Sequence, residues 1–184
     1  MAGPYVGYHT RGFKDLPMHE PLEEHICHEG YGPGASAVIL TCCAGTIVRD
    51  DAVRELFREH GGRLGATGSV SYLFRPVGVL RVVADDALAA RATGLGVEEQ
   101  VEAGGGRADL LTAPEERDAI EARLRRMGYD CLARGGGWRA MHRVSPSLPD
   151  ERKLDDLVRR LAALDGVGHV YTNAQTTDQL LAPV

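Results

Sequence analysis

Apolar and polar positions in this chain fall into short blocks whose period switches between two and about 3.6, the pattern of strands and helices packed in layers. Residues 1–21 carry three prolines, glycine and scattered aromatics without a period, which predicts an irregular arm. Residues 22–28 read as a short strand, followed by the turn-rich run Gly30-Tyr31-Gly32-Pro33-Gly34. The β-branched stretch 36–43 (SAVILTCC) reads as a buried strand. Asp50 is placed to cap a helix running to about His60, with Val53, Leu56, Phe57 and His60 on one face and Gly61-Gly62 as its stop. Residues 69–74 (SVSYLF) read as the next strand, with Pro76 punctuating its end.

The middle of the chain carries a complete pattern of its own. A strand over 77–83 leads to a helix over 85–93 that stops at Gly94, and strands over 97–102 and 108–111 flank the turn Gly104-Gly105-Gly106. Thr112 is placed to cap a further helix, with Pro114, Glu115 and Glu116 suited to its electropositive start and Ile120, Leu124 and Met127 on its apolar face. Gly128 ends that helix, and a second triple glycine precedes a strand over 138–144. The order β-α-β-β-α-β is that of a ferredoxin-like unit. Then comes a strong helix over 150–164, with the stripe Leu154, Leu157, Val158, Leu161 and Leu164; Gly166 breaks it before a last strand over 167–171.

Neither the β-α-β before the middle unit nor the α-β after it closes a layer alone. The expected fold class is therefore α+β, two ferredoxin-like α/β sandwich units with one inserted in the other. Residues 22–75 and 146–173 form the discontinuous domain, 76–145 the inserted one, and 174–184 a frayed tail.

At 184 residues and 43% apolar content the chain has enough material for such cores. No apolar run approaches the roughly 18 residues of a membrane helix, and the N-terminus lacks the features of a secretory signal, which predicts a cytoplasmic protein without a membrane partner. The net charge of −5 argues against a general nucleic-acid binder. The distribution of charge changes that picture. Between residues 123 and 143 stand Arg123, Arg125, Arg126, Arg134, Arg139 and Arg143 against the single acid Asp130, whereas Asp85, Asp86, Glu98, Glu99 and Glu102 make the preceding segment acidic. The basic end of the inserted unit is the candidate nucleic-acid contact, with a solvated helix face as the plain alternative.

Other chemistry finds little support. No G-x-S-x-G elbow, H-E-x-x-H pair or phosphate-binding loop is present, so no enzyme and no cofactor is expected. His60 and His142 are single histidines on elements with a structural use. His25, Cys27, His28, Cys42 and Cys43 suggest zinc at first sight. Strand alternation, however, sets His25 and Cys27 against His28, and Cys42 against Cys43, without any CxxC spacing. Buried, reduced thiols and no metal are the expectation.

Four stretches carry a resemblance: Glu29-Gly30-Tyr31-Gly32-Pro33-Gly34, the run HGGRLGATGSVSYLF at 60–74, Thr112-Ala113-Pro114-Glu115, and Val170-Tyr171-Thr172-Asn173. In order and spacing they resemble the YebC/PmpR family from about Leu22 to Asn173. The resemblance implies a basic N-terminal helical domain followed by two α/β domains, the third inserted in the second. It also implies a regulator of transcription, or a translation factor on the ribosome like the translational activator of cytochrome c oxidase subunit I. The opening A-G-H-S-K-W helical domain is expected to be missing. The family's D-N-x-N-R-T stretch is replaced by Ala44-Gly45-Thr46-Ile47-Val48-Arg49. The expected function is a non-enzymatic regulator that engages the ribosome, rRNA or DNA. The alternative is a protein-interaction module that pairs with a partner protein or a full-length family member. Small-molecule sensing has support from the fold alone. The run from Glu29 to Gly34 either presents Tyr31 and backbone N–H groups to RNA or a ribosomal partner, or is a tight strand connection in which glycines supply positive φ.

Overall fold

The computed structural model describes residues 24–43 and 45–175, without the side chains of Glu24, Cys43, Ala133 and Arg134. The expected arm over 1–21 and the tail beyond Gln175 lie outside the described residues. The elements run β1 (Glu24–Tyr31), β2 (Ala37–Cys43), α1 (Asp50–Glu59), β3 (Arg63–Leu64), β4 (Phe74–Val83), α2 (Leu88–Thr93), β5 (Glu99–Gly104), β6 (Arg107–Thr112), α3 (Arg117–Arg126), β7 (Cys131–Ala140), α4 (Leu148–Ala162) and β8 (Val167–Thr172). They form an α+β fold with two four-stranded antiparallel sheets, ordered β3-β1-β2-β8 and β5-β6-β4-β7. The second order is that of a ferredoxin-like unit, because the β5–β6 hairpin and the return of β7 place β4 and β6 at the centre. The first sheet carries two helices as well, but its chain path differs, with β1 and β2 as its two central strands.

Each sheet buries one face under helices. Val53, Leu56 and Phe57 of α1 and Leu154, Leu157, Val158 and Leu161 of α4 close over Val38, Leu40 and Cys42 of β2. Leu88 and Ala92 of α2 and Ile120 and Leu124 of α3 close over Leu80, Val82, Ala108 and Leu110. A third cluster joins the units: Ala37, Ile39 and Tyr171 pack with Val70, Phe74 and Ala140, with Trp138 alongside.

Several expected boundaries are corrected. The segment 69–74 is a 3-10 turn over Ser71–Leu73 rather than a strand, and the fourth strand of its sheet is the short β3. The reason is Glu29, whose carboxylate accepts the N–H groups of Gly68, Val70 and Ser71 at 2.7, 3.0 and 2.8 Å. Three neighbouring donors bound to one carboxylate cannot also form a strand ladder. Pro76 lies inside β4 rather than ending it; β6 reaches only to Gly78, so at Pro76 that side of the strand is still an edge, where a missing N–H leaves no gap. The second triple glycine also lies inside a strand, with Gly135, Gly136 and Gly137 opposite Val79, Gly78 and Val77. A Cβ at Gly137 would stand 3.3 Å from Val79 Cγ2 and 3.4 Å from the Tyr171 hydroxyl, so the strand passes close to the other unit at this point. Thr112 ends β6 instead of capping α3, which starts after the turn through Glu116. Asp50 does not cap α1 but stands in its first turn, where its carboxylate meets His28 Nε2 at 2.8 Å. Helix α4 starts earlier than expected, at Leu148, because the Ser147 side chain accepts the Asp150 N–H and Pro149 suits the first turn. Helix α2 starts later, at Leu88, after Asp85 accepts the Ala87 N–H.

Candidate nucleic-acid interface

The six candidate arginines do not form one group. Arg123, Arg125 and Arg126 occupy the last turn of α3 and are all exposed. Positive charge there offsets the partial negative charge of the helix C-terminus, which explains why this turn tolerates three guanidiniums. Arg125 donates to Glu121 at 2.9 and 3.0 Å and to the Cys131 carbonyl at 3.4 Å. The Glu121 hydrogen bond raises its already high pKa further. Arg126 donates to the Ala122 carbonyl at 3.2 Å, and neither it nor Arg123 has a carboxylate partner among the described residues.

Arg139 stands eight residues beyond Cys131 along β7, about 26 Å away at the rise of a strand. It meets Glu99 at 2.7 Å and Glu98 at 3.5 Å, and Arg143 meets Glu99 at 3.4 Å. Arg143 lies past the end of β7, not on it as the sequence suggests, but both side chains still reach Glu99. Arg75, directly opposite Arg139 in the sheet, pairs with Glu98, and that hydrogen bond raises its pKa. The acidic segment and part of the basic one thus meet in space. Arg134 sits in β7 opposite Leu80, and its side chain is not among those described. The place of Arg75 in this cluster follows from the β4–β7 register, which no local sequence signal reveals.

The run from Glu29 to Gly34 is half strand and half turn, since β1 extends through Tyr31 and a 3-10 turn spans Pro33–Ala35. Glu29 is buried, and its three backbone donors overcome the upward pull of burial and hold its pKa below the ordinary glutamate range. The Tyr31 hydroxyl donates to the Ser69 carbonyl at 3.0 Å, and the Arg63 guanidinium lies 4.6 Å from the ring centroid. Within this run only Gly34 takes positive φ (66°), pressed against Pro146; Gly30 is needed for space, as a Cβ there would lie 2.7 Å from the Phe57 ring. The motif and the HGGRLGATGSVSY run therefore grip each other.

The histidine–cysteine group is rearranged by a β-bulge between Ile26 and His28, which breaks the expected alternation. Cys27 and His28 both turn toward the helix-covered side, Cys27 packing on that core and His28 reaching Asp50. His25 Nε2 lies 3.4 Å from Cys42 Sγ, and Cys27 donates to the Leu40 carbonyl at 3.5 Å. Burial, reinforced by the hydrogen bond and charge of Cys42, pushes the Cys27 thiol up to about 12. Among the described residues no three His, Cys, Asp or Glu side chains are grouped to hold a metal ion, and no helix is long and apolar enough to cross a membrane.

Residues 23–174 match the family model described as the TACO1/YebC second and third domain. A protein of Methylococcus capsulatus named probable transcriptional regulatory protein is 36% identical over 163 residues, covering 86% of this chain and 66% of the relative. A similarly named protein of Enterobacter is 35% identical over 162 residues, with the same coverage of each chain. The chain thus spans about two thirds of the length of these curated relatives. A crystal structure of a conserved hypothetical protein from Aquifex aeolicus is similar with a TM-score of 0.74 and 30% identity, over 94% of this chain and 72% of that one.

Proposed function

Because the chain belongs to the TACO1/YebC family, we propose that it is a non-enzymatic regulator of gene expression that acts by contact with the ribosome, its RNA or DNA. In this reading residues 22–75 with 146–173 are the scaffold domain, and 76–145 the domain that faces the nucleic acid. The observation that carries it is the last turn of α3, where Arg123, Arg125 and Arg126 are exposed and only Arg125 is ion-paired among the described residues. Guanidiniums held on a helix can each neutralise a phosphate and release its counterion, so binding must weaken with salt. The names of the relatives, which speak of transcriptional regulation, support a regulatory role.

The test is co-sedimentation with ribosomes, and binding to RNA and DNA, at two salt concentrations. Arg123→Glu with Arg126→Glu is expected to weaken binding and to flatten the salt dependence by roughly 0.7–0.9 log units per decade for each phosphate that is no longer neutralised. Ribosome or RNA binding points to translation, and duplex DNA binding to transcription. A second reading, a protein-interaction module, draws on the pairing of Arg139 and Arg143 with Glu98 and Glu99, which leaves them less free for phosphate than the α3 arginines. It takes over if the wild type binds neither ribosomes, RNA nor DNA at low salt.

A further inference from the structure

At the other end of β7 from the α3 arginines, a cleft of about 550 Å³ is lined by Arg75, Glu99, Arg139, Ala140, Met141 and Arg143. That volume lies in the range of ligand sites. Its charges do not balance, because three guanidiniums share the two carboxylates of Glu98 and Glu99. The hydrogen-bond count is more lopsided still: three guanidiniums bring about fifteen N–H donors, and two carboxylates about eight acceptor sites. Two of the contacts, Arg143 to Glu99 at 3.4 Å and Arg139 to Glu98 at 3.5 Å, are longer than a good hydrogen bond. Glu99, with a side chain only 11% exposed, lies 2.7 Å from Arg139 as an ion pair, but its Oε2 accepts no hydrogen bond among the described residues, so the Arg139 donors are held near it without being used. Surplus donors fixed by a buried carboxylate and facing a cleft favour an incoming oxyanion, whose binding need not order the arginines afresh.

The rim indicates what carries the oxyanion. Met141 is half exposed, and its N–H donates to the Leu73 carbonyl at 2.8 Å. The residue before Leu73 is Tyr72, which is 66% exposed, so an open aromatic residue stands one position from the backbone contact at the cleft rim. An exposed aromatic residue one position from a rim of guanidiniums matches a strand whose bases are free to stack. A duplex keeps its bases inside and offers such a ring no free face to stack on.

We propose that this cleft takes a phosphate of a single-stranded nucleic acid, with the neighbouring base stacked on Tyr72. The proposal rests on the nucleic-acid reading above but uses residues separate from α3. The test is fluorescence anisotropy of the full chain with a labelled twelve-nucleotide single-stranded RNA, the same DNA strand, and the RNA duplex. Tyr72→Ala is expected to weaken binding of single strands roughly 5- to 100-fold and to leave the duplex unchanged. Arg143→Gln is expected to flatten the single-strand salt dependence by about 0.7 log units per decade, and Arg143→Lys to restore it. The ratio of RNA to DNA affinity identifies the source of the strand, and either one supports the site. Equal losses on strand and duplex overturn the proposal, as does displacement by an acidic peptide of a strand bound equally well by both variants. If Tyr72→Ala and Arg143→Gln bind as the wild type does while Arg123→Glu with Arg126→Glu does not, the cleft fails and the α3 reading stands. If the wild type binds none of the probes, both fail together.

Discussion

The two sheets of this molecule differ in where their polar groups are spent, although the inserted unit too buries a closed pair, Arg81 with Asp109 at 2.7 Å. In the outer sheet and its helices, several buried polar groups close on the chain itself, while His28 Nδ1 and Ser69 Oγ have no partner among the described residues. Glu29 binds three backbone N–H groups, the Asn173 side-chain carbonyl accepts the Ala37 N–H at 2.7 Å, and the His60 ring lies between the Leu56 carbonyl at 2.7 Å and Asp156 at 2.8 Å. In the inserted unit, charged groups meet at the end of the sheet with more donors than acceptors, and further arginines stand exposed on α3. The stretches that carry the family resemblance lie mostly in the outer unit and hold it together. In the proposed reading, the surface that meets a partner lies in the insertion, where arginines stand exposed.

If the outer unit is the scaffold, its core must fail first. Leu157 and Leu161 are fully buried between α4 and the sheet. Leu157→Ala and Leu161→Ala should each cost about 2–5 kcal/mol in chemical denaturation, the range for a deleted leucine whose cavity only partly collapses. A change below about 1 kcal/mol in both would show that α4 contributes little to the core.

Glu29 sharpens the same contrast, because it is a charge spent on folding. Glu29→Ala leaves three backbone donors without their acceptor and should cost about 2–4 kcal/mol. The folded protein holds this carboxyl below its ordinary value, so its contribution is complete above the normal glutamate range and is lost as pH falls through the folded value. Wild type and Glu29→Gln should therefore differ most near neutral pH and converge in acid. A difference that grows on acidification would contradict the geometry around the carboxylate.

The apolar periodicity of α1, α4 and β2 is enough to locate the outer core, and the β-α-β-β-α-β order is enough to give the second sheet. Boundaries are lost wherever a long-range partner overrides local pattern. SVSYLF has the composition of a strand, but Glu29, some forty residues earlier, binds its N–H groups. Gly135–Gly137 has the composition of a turn, but pairing with β4 makes it a strand. The candidate site is legible in the same partial way. The arginine excess over 123–143 is visible in the sequence, whereas its division into an exposed group and a paired one depends on where Glu98 and Glu99 fall across the sheet.

The smallest expected effect tests the other side of the comparison, that the exposed arginines of α3 are not spent on folding. Arg123 and Arg126 are exposed, and neither has a carboxylate partner among the described residues. Glutamine keeps much of the side-chain length and helix propensity of arginine, so Arg123→Gln with Arg126→Gln removes two charges and little else. Those charges lie at a helix C-terminus, where they interact favourably with the macrodipole, but exposure and salt reduce that effect. The double variant should thus change stability by no more than about 0.5 kcal/mol per site, as surface substitutions usually do. Measured at low and high salt, any loss should shrink as salt rises. A loss above about 2 kcal/mol that persists in high salt would mean that these side chains pack on the unit, and the division between a scaffold that consumes its charges and an insertion that presents them would fall.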